Sequence, residues 1–354
     1  MKITSGLKLY CLLIITAIFC SCAPSTTLRI LKPADIMVSD QVQSIGTIDR
    51  SMPANGWHNF FEGLITGENI GQDKRGRKEA IAGFTNVLDK TPRFNIKAIL
   101  TELTGSKTGA SMAEPLSWEK IEQLCNEYQV DAIAALEMFD SDLDYSRSKS
   151  DEKYKDKDGK EHTRVNHNVD RRMELRIGFR LYDNKNKTMV DEYVVSANDK
   201  ESASGDSRDQ ADRNLKSIDE QVKRIAQNAG KIYAKRIAPL YITQERTFEK
   251  KVPTNKDAFK NALEAAKRED WNKAAGIWNT LATNSTDPKT AGKSCYNLAI
   301  ACEAQGKLEL ALEWAQKSWK NYNLKSGRDY VEILKGRIAD QKKLSEQMKS
   351  RSKT

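Results

Sequence analysis

The sequence predicts an α+β (or α/β) sheet domain with packed helices over residues 44–253, followed by an all-α helical repeat domain over 254–346. Three observations predict it. From 44 to 253, apolar residues recur with period two in some runs and with period 3.6 in others, the mixture expected where helices pack on a sheet. After Pro253 the period-two runs cease, and small residues recur at helical spacing with a self-similarity of 37 residues. Ahead of both lies an apolar leader, residues 1–21.

The leader places Lys2 and Lys8 before an apolar run at 9–19 and then Cys20, Ser21 and Cys22. A basic start, about ten apolar residues and a small residue before a cut are the parts of a secretory signal. The run is shorter than the roughly 20 residues that span a bilayer, and no second such run follows. It resembles the bacterial lipoprotein signal, with Phe19 where that family prefers leucine. That resemblance implies cleavage after Ser21 and acylation of Cys22; an ordinary secretory signal is the other reading. Residues 22–43 then serve as lipidated N-terminus and tether. Residues 23–27 lack the acidic run of surface-exported lipoproteins, so the resemblance implies an outer-membrane, periplasm-facing location, with the membrane engaged through the lipid.

The formal charge of +9 becomes +7 without the leader, and residues 255–354 hold 19 basic and 12 acidic residues, which is the whole of that excess. The asymmetry suggests an anionic partner or surface, or a solvated helical face with a basic disordered tail at 347–354. Nucleic acid is disfavoured, because the tail lacks interleaved aromatics. Cys295 and Cys302 lie seven apart on one predicted helix, about 10 Å and too far for a disulfide. With Cys125 they read as buried thiols packing as small hydrophobes.

Taken in order, 28–31 and 44–49 read as short strands, and 77–88 as a helix with Ile81, Phe84, Val87 and Leu88 on its apolar face. Residues 93–100 alternate as a strand. Ser117 offers an N-cap to a helix ending near Tyr128. Residues 130–145 form the most strand-like run, apolar on both sides over 131–136 as a central strand requires. Charged, turn-rich residues fill 146–162, and 173–182 with 188–197 flank a hairpin loop. Ser202 to Ser207 is a polar link. From Arg208 one long helix is expected, with Ala211, Leu215, Ile218, Val222, Ile225, Ala229 and Ile232 in a single stripe, ended by Pro239. Residues 240–250 add a last strand, with Pro253 at the domain boundary.

Residues 45–49 (IGTID), Val87 and Leu88 followed by Arg93 and Phe94, and the helix-to-strand passage over 121–138 resemble the periplasmic domain shared by the curli secretion subunit CsgG, the lipoprotein LpoB and the amino domain of TolB. Gln129 stands where those relatives carry glycine or a small residue. The likeness covers roughly 44–145. With the leader and the C-terminal region, the whole chain resembles an uncharacterised family of Gram-negative lipoproteins.

Cys295, Leu298, Ala299, Gly306, Leu308, Ala311, Ala315 and Ser318 resemble one tetratricopeptide repeat (TPR). Upstream, Ala258, Asn261, Ala262, Ala265, Trp271, Ala274 and Trp278 resemble another, departing at Asn261 and Asp270. Residues 329–347 supply a covering helix. The resemblance implies an inward face of Lys256, Phe259, Leu263, Lys293, Tyr296 and Ile300 as a partner-binding groove. A short array that only props its neighbour is the plainer reading.

Signals of chemistry are sparse. His58, His162 and His167 lack partners at helical spacing, so no metal site is expected. Asp140, Asp142 and Asp144 open like a calcium loop, yet Tyr145 and Asp151 occupy the places needing Gly and Glu. Gly63, Gly67, Gly71 and Gly76 with Lys74, Arg75, Arg77 and Lys78 suggest an anion-binding loop at a helix start, without a nucleotide-binding motif. No nucleophile elbow occurs. The expectation is a non-catalytic, cofactor-free, lipid-anchored envelope adaptor binding protein partners through the repeats. The alternatives are a subunit of a curli-secretion-like oligomer and a regulator of a cell-wall synthase, with oligomeric state open.

Overall fold

The computed structural model of the protein describes residues 24–52, 69–107 and 109–349. Expectations resting on Cys22, His58, Gly63, Gly67 and the tail from 350 onward lie outside them. The elements run β1 (Ser25–Lys32), β2 (Ser44–Met52), α1 (Asn69–Leu88), β3 (Asn95–Thr104), α2 (Trp118–Tyr128), β4 (Ala132–Lys155), β5 (Glu161–Asp183), β6 (Thr188–Gly205), α3 (Arg208–Asn214), α4 (Ile218–Ile237), β7 (Leu240–Thr247), α5 (Lys256–Lys267), α6 (Trp271–Asn284), α7 (Pro288–Ala304), α8 (Leu308–Lys320) and α9 (Lys325–Gln347). Two compact units result: Arg29–Thr243 with Ile338–Thr354, and Met1–Leu28 with Gln244–Arg337. The division falls inside β1, β7 and α9, so the C-terminal unit begins before Pro253.

The first unit is built on a five-stranded mixed sheet in the order β3-β2-β4-β5-β6. β2 pairs parallel with β3 and β4, and β4, β5 and β6 form an antiparallel meander. The α1 crossover leads from β2 to β3 and the α2 crossover leads from β3 past β2 to β4; the two run in opposite directions along the sheet, so right-handed connections put their helices on opposite faces. The alternation in β4 follows: Ala132, Ala134 and Leu136 join the core under α1 and α4, while Ile133 and Ala135 join the core under α2. Stacked rings of Phe84, Phe179 and Tyr233 fill the first, with Phe179 and Tyr233 centroids 4.4 Å apart. The Asp131 carboxylate accepts from the amides of Gln43 and Ser44 and from the Ser44 hydroxyl, which pins the register of β2 on β4.

Local chemistry explains the helix ends. Ser117 caps α2 by accepting from the Lys120 amide, and Gln129 closes it in the left-handed region at φ 52°. That position favours glycine, and Gln129 holds it with a non-glycine residue. The stripe expected as one helix from Arg208 is two: α3 stops at Asn214, and Ser217 starts α4 by accepting from the Glu220 amide. Ser217 and Glu220 are spaced as a capping box, a start signal inside the stripe. Arg171, on β5 and almost wholly buried, donates to the Lys216 carbonyl and to Gln221, so the break is bonded rather than frayed.

The expected turn-rich stretch at 146–162 is also different. β4 runs on to Lys155 and β5 returns from Glu161, with the turn confined to a few residues where Asp156 accepts from the amides of Asp158 and Lys160 and Gly159 takes φ +80°. Polar cross-strand contacts hold this ribbon: Glu152 receives Arg164 and Asn166, and Asn168 donates to Ser150. Cross-strand pairs of this kind stabilise a sheet without burial.

α1 and α4 cross where each offers a glycine. A Cβ at Gly230 would collide with the Ala80 carbonyl oxygen, and one at Gly83 with that of Gln227. In contrast, Gly276 on α6 faces open space. Gly230→Ala is therefore expected to cost about 1–3 kcal/mol through overpacking, while Gly276→Ala gains about 0.5–1 kcal/mol by lifting the helical glycine penalty. Urea denaturation of the two variants checks the opposite signs.

Candidate functional site

In the C-terminal unit, α5 to α8 pack on one another in succession. Small residues set the close spacing: Ala262, Ala265, Ala266, Ala274, Ala299, Ala311 and Ala315 are all fully buried. Against the α7 side lie the last residues of β7 and the non-helical stretch that joins it to α5, residues 246–254.

α7 meets this stretch with side chains spaced three and four apart, which share one face of a helix. The Thr290 hydroxyl accepts from the Thr254 amide at 3.3 Å and shares a hydrogen bond with the Thr254 hydroxyl at 3.0 Å. Lys293 donates to the Lys251 carbonyl at 2.9 Å and pairs with the Glu249 carboxylate at 2.9 Å. Asn297, wholly buried, accepts from the Glu249 amide and donates to the Glu249 carbonyl, each at 2.9 Å. Tyr296 donates to the Thr247 carbonyl at 3.0 Å. Most of these bonds go to main chain, so they select an extended backbone more than a particular side chain. Phe248 and Val252 supply the apolar anchors, Phe248 with its ring 5.5 Å from that of Trp278.

The charged anchor is Arg246, whose guanidinium forms a two-pronged bond to Glu303 at 2.8 and 3.0 Å. Arg337 reaches the same carboxylate at 3.1 Å, and the Tyr330 hydroxyl donates to it. Burial raises the Glu303 carboxyl, yet the hydrogen bonds from Arg246 and Tyr330 and the charges of Arg246 and Arg337 outweigh it and hold it below the ordinary value.

The residues expected to line a groove divide accordingly. Lys293 and Tyr296 do contact a segment at the end of β7 and beyond it, one supplied by the chain itself. Phe259, Leu263 and Ile300 are buried in the helical core rather than presented on an open surface, and Lys256 is exposed. Helical spacing alone does not separate a residue that packs inside a helix pair from one that faces its hollow side. Thr290, Asn297 and Glu303 were missed; their only sequence signal is polarity within an otherwise apolar helix.

The basic group expected at a helix start lies elsewhere on the helix. α1 starts at Asn69, so Lys74, Arg75, Arg77 and Lys78 lie inside the helix and not at its positive end. Lys74, Arg75 and Lys78 point outward, Arg75 to Asp219 at 2.7 Å, whereas Arg77 is buried and pairs with Asp49 at 3.2 Å. Cys125, Cys295 and Cys302 are free buried thiols, and burial pushes Cys125 and Cys295 up to about 11. Asp140 pairs with Arg176 at 3.4 Å, and His162 with Asp156 at 2.6 Å. A second buried carboxylate, Glu137, sits at a bulge between Leu136 and Met138 and takes Arg50 and the Tyr182 hydroxyl, each at 2.8 Å. Burial raises its carboxyl even so.

A family model described as a domain of unknown function (DUF8603) matches residues 42–248, and a second, also a domain of unknown function (DUF6340), matches 260–336. No curated protein matches. Among solved structures, the chain is similar to the PelC L103M dodecamer from Paraburkholderia phytofirmans, at 11% identity over 60% of this chain and 99% of that one, with a TM-score of 0.22. It is also similar to a neuraminyllactose-binding hemagglutinin homolog from Helicobacter pylori, at 10% identity over 57% and 85%, with a TM-score of 0.24. Similarities this low carry no argument about what the chain does.

Asn297→Ala is expected to free the 246–254 stretch without unfolding the helices, raising hydrogen exchange at the Glu249 amide by about tenfold or more, read by mass spectrometry. Glu303→Ala, which strands the buried Arg246 guanidinium and removes a partner of the half-buried Arg337, should cost about 3–5 kcal/mol. Because the Glu303 carboxyl is held low, the stability it contributes is complete above about pH 4.3 and is lost as pH falls through the lowered value. Thermal melts of Glu303→Gln beside the parent should show less acid sensitivity in the variant.

Proposed function

Since the chain belongs to the DUF8603 family, a domain of unknown function, we propose its role from its own residues: a non-catalytic, lipid-anchored envelope adaptor that holds protein partners through its helical C-terminal unit. The observation that carries this reading is the α7 face, which grips 247–254 through side-chain bonds to main chain. Any extended peptide offers the same amides and carbonyls, so a partner segment exchanges for the resident one at little chemical cost. α5 to α8 are read as two tetratricopeptide-like repeats, supported by their successive packing and alanine-lined contacts. The anchor is Cys22 after cleavage of the leader, with the chain facing the periplasm from the outer membrane.

Of the alternatives, a membrane pore of the curli-secretion kind would draw its barrel from long hairpins with one lipid-facing apolar side. The outer part of the β4–β5 hairpin is polar on both sides, with Ser148, Lys149, Ser150, Asp151, Glu152 and Lys153 in succession on β4. This favours the adaptor reading.

Two measurements test it. Growth in labelled palmitate should label the parent and leave Cys22→Ser unlabelled and released from membranes; label on the variant overturns the anchor. In-cell crosslinking should recover a partner with the full chain and lose it when residues 255–354 are removed. An unchanged partner set with that deletion overturns the role of the helical unit.

A further inference from the structure

We infer that the sheet-bearing unit carries a binding site for a small organic anion, of the phosphate-monoester type with an apolar body, in a cavity between the β4–β5 ribbon and α3. The cavity has a volume of about 510 Å³ and is lined by Arg147, Lys149, His167, Val169, Arg208 and Ala211, with Asp212 and parts of Ser148 and Asn168. That size lies within the roughly 300–1,000 Å³ of small-ligand pockets.

Topology makes the hollow. Arg147 pairs with Val169 and Lys149 with His167 across the antiparallel ladder, and residues directly opposite share a face. β6 ends at Gly205, opposite His167, and the chain turns through Asp206 and Ser207 into α3, which packs on β5 and β6. Val169 and Ala211, each only 1% exposed, form an apolar floor. The cations form the rim.

The charges around this hollow are unbalanced. Arg147 pairs with Asp212 at 3.2 Å and lies over the Tyr145 ring, 5.2 Å from its centroid. Lys149 and Arg208 have no carboxylate partner among the described residues. Three permanent cations therefore face one carboxylate that is already engaged. In the neighbouring hollow beside α4, three of the four lining cations are paired: Arg224 with Asp199 and Glu201, Lys216 with Glu201, and Lys223 with Glu79, while Lys231 is the fourth. Two cations without a counter-charge on the rim of an apolar floor suit a dianion that sets its apolar part on Val169 and Ala211 and accepts charge-assisted hydrogen bonds from the rim. The same chemistry could come from a free metabolite or from a lipid headgroup.

Titration calorimetry of the full chain at low salt, with phenyl phosphate as the soluble probe and phenol as its neutral counterpart, tests the site. Sedimentation with phosphatidylcholine vesicles, with and without phosphatidic acid, tests the lipid source. Phenyl phosphate should bind and phenol should not. The double variant Lys149→Glu with Arg208→Glu should weaken binding by about tenfold or more, as expected for lost bonds to charged groups. The charge-matched control Lys153→Glu with Lys157→Glu, on the same ribbon beyond the cavity, should change it by less than about twofold. Vesicle binding that depends on phosphatidic acid and is lost in the first variant alone assigns the ligand to a headgroup; soluble binding alone assigns it to a free anion. Absence of binding in both arms, or equal loss in both variants, overturns the proposal, and circular dichroism of the two variants guards against misfolding as the cause.

Discussion

A carboxylate with no exposed surface stays ionised only where cations and donors replace the water it has lost, and Glu303 depends on three such neighbours. They come from two distant parts of the chain: Arg246 from β7, Tyr330 and Arg337 from α9. Glu303 itself ends α7. One side chain thus ties the entry to the helical unit, its middle and its closing helix. The stretch after Arg246 is held at its start by a buried ion pair, and the bonds to Tyr296, Asn297, Lys293 and Thr290 then follow in sequence along α7. Without the anchor, those main-chain bonds would have no fixed register to begin from.

The sheet-bearing unit uses a different device. Its parallel strands are specified by alternation in β4 and by Asp131, and its helices by caps at Ser117, Ser207 and Ser217. The α1–α4 crossing relies on missing side chains: with Gly83 and Gly230 facing each other's backbones, the two helices come close enough to cover the Phe84, Phe179 and Tyr233 stack. Polar burial and glycine contact both occur in each unit: the sheet-bearing unit also buries Glu137 and Arg171, and the helical unit sets Gly292 against Tyr322.

Much of this architecture could be read from residue patterns. The central strand was visible because 131–136 is apolar on both sides, the α2 start because Ser117 precedes an apolar stripe, and the helical C-terminal region because alanines recur at helical spacing. What escaped reading has physical causes. The outer ribbon has no buried face, so neither period two nor any other hydrophobic signal marks it. The α3–α4 break was hidden because the stripe keeps its phase across Leu215 and Ser217, and only the Ser217 and Glu220 pair betrays it. At the candidate site, Lys293 and Tyr296 were legible from their place on the helix, whereas Asn297 and Glu303 act on residues far away in sequence, which no local pattern encodes. The basic group at 74–78 was misplaced because the helix begins earlier than its apolar face does.

The ribbon of β4 and β5 has one further implication. Among the described residues, the strands on either side of the Asp156 turn pair only with each other from Ser150 outward, and both their faces meet solvent. A segment with nothing to bury has no preferred length. Adding or removing one residue from each strand moves the tip by about 3.4 Å and leaves every core contact untouched. The length of the hairpin is therefore decoupled from the core of the fold that carries it.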